Sequence, residues 1–232
     1  MFNTADGEVR MPTTGSPGLD EVVRQRRSTR MFLRDKPVPR ELLDEALELA
    51  MRAPSNSNVQ PWRLYVASGP RRDRLVEALL AAATVEFPVT TGLPAGFLEL
   101  RQQLGALVYG SMGIARTDAD ARRIAQLRNW EFFRAPVGAV VCMHRDLGLV
   151  DSLGVGMFLQ TLLLALTERG LATCVQVSIA AYPEILREGL NIPDELTVLC
   201  GVAIGYADEN FPANRLQTPR NAVATNVTFL ED

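Results

Sequence analysis

Apolar positions along the chain recur with two different spacings, and each spacing predicts one kind of element. Residues 41–53 repeat apolar side chains at the spacing of an amphipathic helix. The face that this helix should bury consists of Leu42, Leu43, Ala46, Leu47 and Ala50. Further helices are predicted over residues 17–27, 71–83, 96–115, 118–129, 151–169 and 183–190. Apolar runs typical of strands lie at residues 63–68, 137–143, 172–177 and 196–204.

The predicted helix over residues 151–169 differs from the others because it is apolar on nearly every side. A helix without a solvated face must be buried all round. We therefore expect a central helix that is covered by a sheet on one side and by a partner subunit on the other. Its apolar stretch, residues 150–166, is shorter than the ~20 residues of a membrane span, so no membrane insertion is expected.

The order of the elements predicts one α+β domain over residues 17–232, with helices packed on a sheet. No internal repeat and no linker between two cores interrupts this range. Residues 1–16 are rich in Thr, Gly, Pro and Asp and are expected to form a mobile N-terminal arm. The tail from Glu209 onward has little periodicity and ends in a weakly strand-like run, NVTFL. Such a tail is stable only if something else holds it, for instance a second subunit.

Composition and charge narrow the possible functions. The formal net charge is -3 and the basic residues form no long block, which disfavours a nucleic-acid partner. The three cysteines lie in apolar, strand-like runs without a C-x-x-C pair, and we expect them to be buried free thiols: Cys142, Cys174 and Cys200. Unpaired cysteines suit a reducing compartment, and the N-terminus lacks a signal-peptide core, so a cytoplasmic location is expected.

Several common kinds of site lack the residues that they need. The single histidine, His144, follows a strand and is interpreted as a surface residue, and one histidine cannot support a histidine-rich metal site. We therefore expect no metal. No G-x-G-x-x-G opens a helix after a strand, which argues against a Rossmann nucleotide site. Asp118 and Asp120 are interpreted as helix-start charges.

The first candidate site is R-R-S-T-R at residues 26–30, where three guanidiniums and two hydroxyls lie at a predicted helix end. Arginine offers planar, bidentate donors that suit phosphate and carbonyl edges. The motif therefore indicates a site for an anionic ligand. A solvated basic helix end that interacts with its own terminal carbonyls is the alternative.

The second candidate site is P-S-N-S-N-V-Q-P-W at residues 54–62, a loop with side-chain amides and a proline near each end. Asn and Gln side chains carry both hydrogen-bond donors and acceptors. The pyrimidine edge of a flavin also carries both, so these side chains suit it as partners. The alternative is a plain turn that stops the preceding helix, because Ser, Asn and Pro are common in turns.

Together and in this order, the two motifs resemble the FMN-dependent nitroreductase family. There an R-R-S-x-R segment ends the first helix, and a P-S-x-x-N-x-Q-P-W loop follows the second. The resemblance continues in G-L-A-T-C at residues 170–174, in G-V-A-I-G-Y at 201–206 and in the arginine-bearing segment 214–220. It covers about residues 18–220, and RNWEFFRAP at 128–136 looks closest to the nitrobenzoate-reductase-like branch.

The resemblance implies an α+β, nitroreductase-like sandwich with a central mixed sheet flanked by helices. It also implies an intertwined homodimer whose C-terminal tail reaches the partner subunit. The residues that would hold the phosphate, ribityl chain and N1/O2 edge of FMN are Arg26, Arg27, Ser28 and Arg30. The residues that would contact the same FMN from the other subunit are Pro54, Ser55, Ser57 and Asn58. Q-V-S replaces the commoner I-G-G or I-E-G along the isoalloxazine ring, at Gln176, Val177 and Ser178. Arg220 would approach the phosphate.

The implied function is that of an NAD(P)H oxidoreductase, with NADPH or NADH as donor. It would reduce nitroaromatic or quinone-like acceptors by ping-pong hydride transfer through flavin N5. No catalytic side chain is expected, because the cofactor supplies the chemistry. Arg30 would stabilise the negative charge of reduced flavin. The alternatives are other flavin chemistry on the same fold (enone reduction or dehalogenation), a non-catalytic flavin-binding protein, and a helical interaction protein with basic patches.

Overall fold

A computed structural model describes residues 17–88 and 92–231 of the chain. The proposed arm, residues 1–16, lies outside the described residues. The helices are α1 (Leu19–Gln25), α2 (Arg40–Ala50), α3 (Gly69–Val85), α4 (Leu98–Ser111), α5 (Ala119–Leu127), α6 (Leu149–Glu168), α7 (Pro183–Leu190) and α8 (Val223–Asn226). The strands are β1 (Trp62–Ser68), β2 (Val137–His144), β3 (Ala172–Gln176) and β4 (Leu196–Gly205). Each helix and strand that periodicity predicted is present, with ends shifted by a few residues.

The strands form one sheet in the order β1-β2-β4-β3 within the described part of the chain. All three neighbouring pairs are antiparallel, so the sheet is not mixed as predicted. The reason lies in β4. Strands β2 and β3 run in the same direction, on either side of the α6 crossover, but β4 lies between them and is antiparallel to both. The parallel pairing in the described residues is an isolated bridge between Ser28 and Thr173.

Helices cover both faces of the sheet. Alternate residues of each strand point to opposite sides, and in β2 both sets are apolar, so each face packs against helices. In β2, Val137, Ala139 and Val141 face the core that is built with α2 and α6. Val140 and Cys142 face the second core, to which α3 and α7 contribute. On the first face, the rings of Trp62 and Phe158 stack with their centroids 5.0 Å apart. The buried face of α2 includes three of the five predicted residues, Leu43, Ala46 and Ala50.

In a single chain, α6 is buried along the side that packs into the first core, and that a partner subunit covers its other side remains a prediction. Its buried residues are Gly154, Val155, Phe158, Leu162, Leu163, Ala165 and Leu166. The opposite face exposes 86% of Leu149, 64% of Leu153 and 39% of Met157. By length and composition alone α6 could cross a membrane, but core helices of soluble proteins pass the same test. An apolar face with helical spacing therefore stays open on the single chain.

The chain after Leu216 lies on the surface of the described structure. Residues 219–231 are exposed, and the side chain of Leu230 is 93% exposed. The NVTFL run forms no strand there, and α8 precedes it instead. An isolated run of this kind finds no neighbouring strand with which to pair on its own chain. That a partner subunit holds the tail remains a prediction.

Candidate functional site

The basic segment, residues 26–30, lies beside β3 at the edge of the sheet. It follows α1, whose last turn ends at Gln25. Ser28 forms the parallel bridge with Thr173, and the Thr29 N–H donates to the Thr173 carbonyl at 2.9 Å. Thr29 is 1% exposed. These main-chain bonds dock the segment on the sheet while its arginines keep partly exposed positions.

In the part of the chain that the structure describes, the guanidiniums of this segment have no carboxylate partners. Within residues 17–88 and 92–231, neither Arg26, Arg27 nor Arg30 forms a salt bridge with Asp or Glu. The Arg30 Nη1 instead donates to the Ser28 carbonyl at 3.1 Å. Uncompensated guanidiniums in a fixed cluster suit an anionic ligand such as a phosphate. This geometry favours a site for an anionic ligand over the alternative, in which the arginines only interact with the terminal carbonyls of α1.

A buried thiol lies directly behind the basic segment. Burial raises the pKa of Cys174 to about 11, while the nearby Arg30, hydrogen bonding to Ser28 and the charge of Arg26 oppose that rise. Burial likewise raises the pKa of Cys142 and Cys200 to about 11. All three cysteines are free and buried, as predicted. A protonated, buried thiol is a packing group rather than a nucleophile.

Asn214 fastens the basic segment from the side of the C-terminal tail. Its side-chain Oδ1 accepts a hydrogen bond from the Arg30 N–H at 2.7 Å, and its Nδ2 donates to the Met31 carbonyl at 2.8 Å. Its main-chain carbonyl accepts from the Arg27 Nη1 at 3.1 Å. Asn214 is 1% exposed. Sequence reasoning placed it only in an arginine-bearing tail, because an aperiodic tail carries no sign of a buried residue.

Of the three residues predicted to line an isoalloxazine ring, at the end of β3 and just after it, two bond to Asn129 and one is exposed. Gln176 is 2% exposed, and its Nε2 donates to the Asn129 carbonyl at 2.7 Å. Its Oε1 is buried without a hydrogen-bond partner in the described structure. Val177 is 73% exposed, and the Ser178 hydroxyl donates to Asn129 Oδ1 at 3.2 Å. Of the three, Val177 is therefore the side chain that offers an open apolar surface.

The polar loop at residues 54–60 lies against the start of α6. A Cβ atom added to Gly154 would stand 3.1 Å from the Cβ of Ser55, so glycine permits this close approach. Ser57, Asn58 and Gln60 have φ values of 46°, 55° and 48°, which few non-glycine residues adopt. The Ser55 hydroxyl holds this turn by accepting from the Gln60 N–H at 3.0 Å. The amide side chains are exposed, as the predicted ligand contacts require.

One chain does not bring the loop and the basic segment together. The loop packs at Gly154, near the start of α6, whereas the basic segment pairs with Thr173, three residues after Gly170. The loop leads into Trp62, which pairs with Met143 at one end of β2, whereas Thr173 pairs with Ile204, whose other partner is Val137 at the opposite end of β2. The two motifs therefore lie at opposite corners of the sheet, and a ligand that touches both needs a second copy of the chain.

The described contacts of Arg220 are confined to its own tail. Its Nη1 donates to the Thr218 hydroxyl at 2.7 Å and to the Pro219 carbonyl at 3.0 Å. The other arginine of the tail, Arg215, directly follows the buried Asn214. Its Nε donates a hydrogen bond to the Glu209 carbonyl at 2.9 Å. In the single chain, Arg220 is thus not brought to the other predicted residues.

A cavity of about 1000 Å³ lies elsewhere, between residues 31–37, α3 and the turn at Glu131. It contains both cations and anions, among them Arg34 and Asp73, which approach to 3.7 Å. None of the predicted site residues lines it. Apart from the buried Gln176, the predicted ligand residues instead lie partly or fully exposed on the surface of the single chain.

The fold and the site together define the structural class of the protein. It is an α+β sandwich whose sheet carries, at one edge, an arginine segment without carboxylate partners among the described residues. The chain also matches the sequence profile of the Nitroreductase family over residues 23–206. The chain therefore belongs to the nitroreductase family.

Characterised relatives and solved structures agree with this assignment. The chain is 39% identical to a 4-nitrobenzoate reductase of Nocardioides sp. (strain LMS-CY), covering 100% of this chain and 99% of that one. It is 38% identical to a nitrobenzene nitroreductase of Ectopseudomonas oleovorans, covering 96% and 100%. The crystal structure of the FMN and NADPH-dependent nitroreductase NfnB from sphigopyxis sp. strain HMH superposes with a TM-score of 0.89 at 34% identity, covering 93% and 100%. The predicted family, its branch and the sandwich fold are confirmed.

Proposed function

We propose that the protein is an FMN-dependent NAD(P)H oxidoreductase that reduces nitroaromatic compounds. The observation that carries this proposal is the cluster of uncompensated guanidiniums on a fixed main chain at the sheet edge. Full-length similarity to a nitrobenzoate and a nitrobenzene reductase supports the acceptor class. A structural neighbour described as FMN- and NADPH-dependent supports the cofactor and the donor.

The residues present fit FMN in their chemistry. The residues that would bind its phosphate, ribityl chain and N1/O2 edge are Arg26, Arg27, Ser28 and Arg30. The partner's loop would contribute its Pro54, Ser55, Ser57 and Asn58, of which Asn58 presents an exposed side-chain amide. Val177 offers an exposed apolar surface to a flat ring, with Gln176 and Ser178 behind it, and Arg220 would approach the phosphate from the tail. When bound, FMN supplies the redox chemistry between nicotinamide and acceptor.

The protein's own part is binding, orientation and charge. Arg30 would place a cation where negative charge develops on the reduced ring, and a preorganised charge of this kind needs no reorganisation during the reaction. Its main chain is fixed by Asn214 and its guanidinium by the Ser28 carbonyl. The open surface at Val177 admits solvent, so water can donate the protons and no protein acid is required.

The proposed active form is a homodimer in the cytoplasm. The exposed apolar face of α6 would be covered by the same face of a second copy. That arrangement would also bring the partner's loop toward the basic segment, whereas within one chain the two lie at opposite corners of the sheet. The domain, residues 17–232, would then extend its exposed tail across the partner. Quinone-like acceptors are proposed as secondary substrates, because an open ring face discriminates little between flat molecules.

The test is the visible absorption spectrum of the purified protein, before and after anaerobic NADPH. We expect a bound-flavin spectrum that NADPH or NADH bleaches and that 4-nitrobenzoate or nitrobenzene restores. A colourless protein that gains no flavin band when FMN is added would contradict the proposal. Bound FMN that neither nicotinamide reduces would instead indicate a non-catalytic flavin-binding protein.

A further inference from the structure

We infer that Asn214 is a positioning residue for the flavin site and that it acts through Arg30. This inference rests on the proposed function, because it concerns how the chain prepares the basic segment to bind FMN. Asn214 itself is 1% exposed and lies behind the segment, so its amide acts on the protein main chain.

The side chain of Asn214 uses both ends of its amide. The Oδ1 accepts from the Arg30 N–H at 2.7 Å, while the Nδ2 donates to the Met31 carbonyl at 2.8 Å and to the Asp208 carbonyl at 2.9 Å. Asp208 in turn donates its N–H to the Met31 carbonyl at 3.0 Å. The amide therefore joins two stretches of chain, residues 30–31 and the turn at Asp208.

The basic segment is held from two sides, by Asn214 and by β3, and we call this arrangement the clamp. The Thr29 N–H bonds to the Thr173 carbonyl at 2.9 Å, so Thr29 is fixed from β3 and Arg30 from Asn214. Arg27 contacts the main-chain carbonyl of Asn214 and not its side chain. A side-chain substitution at position 214 consequently removes direct bonds to Arg30 and Met31, and leaves the acceptor of Arg27 in place.

Replacing the amide by an apolar side chain of similar size leaves the Arg30 N–H without its partner. The carbonyls of Met31 and Asp208 each lose one of two bonds and keep the main-chain bond from Asp208 and from Phe211. A buried main-chain group without a hydrogen-bond partner destabilises the folded state, so the segment should shift to expose that group to water. A misplacement of about 1 Å in a binding group can reduce function about 100-fold. The expected effect is thus on the fit of Arg30 to the flavin and not only on folding.

The experiment measures the FMN dissociation constant of the apo-protein by quenching of flavin fluorescence, in a double-mutant cycle with Asn214→Leu and Arg30→Ala. Because one buried hydrogen bond typically contributes a factor of about five to ten, Asn214→Leu should raise the Kd about 10- to 100-fold. In the Arg30→Ala background the same change should raise it by less than about threefold, since coupled residues are not additive. Asn214→Ser serves in the same cycle if the leucine variant does not fold.

Leu79→Ala is the matched control, because Leu79 is fully buried in α3, belongs to the second core and is not a proposed ligand residue. It should lower the melting temperature and change the Kd by the same factor in both backgrounds. If the effects of Asn214→Leu and Arg30→Ala multiply, or if Asn214→Leu lowers the melting temperature with an unchanged Kd, the positioning role is overturned. A wild-type protein that binds no FMN would overturn the proposed function and this inference with it.

Discussion

Replacing Leu153 by glutamate tests whether the exposed face of α6 is a subunit interface. Full burial of a leucine stabilises by about 1.5–3 kcal/mol. Leu153 is 64% exposed on the single chain, so covering it contributes about 1–2 kcal/mol. A two-fold interface contains the residue twice, which gives about 2–4 kcal/mol for the dimer. The dimer dissociation constant should therefore rise by roughly 30- to 700-fold, and burial of the carboxylate adds to this.

The assay is sedimentation velocity of wild type and variant over a dilution series, with FMN content measured on the same samples. We expect Leu153→Glu to shift from dimer to monomer and to lose FMN in parallel, because the monomer holds only half of each site. Val85→Glu is the control, since Val85 is 89% exposed at the end of α3 and away from this face. A Leu153→Glu protein that stays dimeric like wild type and retains its FMN would refute the interface.

The remaining predictions concern the cofactor, the sheet and the thiols. Arg30→Ala should weaken FMN binding about 10- to 100-fold, and Arg30→Lys should weaken it less, because lysine keeps the charge but lacks the planar fork; equal Kd values for all three proteins would remove the role of Arg30. Gly201→Ala would place a Cβ 2.7 Å from the Ile179 side chain. Calorimetry should show about 1–3 kcal/mol of destabilisation, and a melting temperature equal to that of wild type would contradict this. The buried thiols, with pKa raised from 9.0 to about 11, should resist a thiol reagent in the folded protein. Because the native state holds these protons more tightly, stability should be full below pH 9 and fall as the pH approaches 11; an unchanged melting temperature over that range would count against it.

Periodicity predicted the helices and strands because it reports local burial. The helical spacing of residues 41–53 predicted the buried face of α2, and the apolar run at 137–143 forms the inner strand β2. The two motifs were likewise visible, since ligand-binding loops are short and depend on residue type at fixed spacing. The arginine segment and the amide loop are therefore recognisable from residue type and order along the chain.

Other features depend on contacts between distant parts of the chain, which local spacing does not report. The insertion of β4 between β2 and β3, which makes the sheet antiparallel, follows from pairing across the fold. The open face of α6 could not be assigned from an all-apolar helix, because composition does not tell which side the chain itself covers. The clamp at Asn214 joins residues more than 180 positions apart, from 214 to 30. No short-range pattern predicts it.

Mixed dimers test the central claim, that each flavin site combines the arginine segment of one subunit with the amide loop of the other. One chain would carry Arg27→Ala and Arg30→Ala. The other would carry Ser57→Gly and Asn58→Gly, which remove the side chains but keep the positive-φ backbone. Each mutant homodimer has two damaged sites, whereas the purified heterodimer has one intact site. We expect one FMN per heterodimer at a concentration where both homodimers are empty. A heterodimer as empty as its parents would contradict the account.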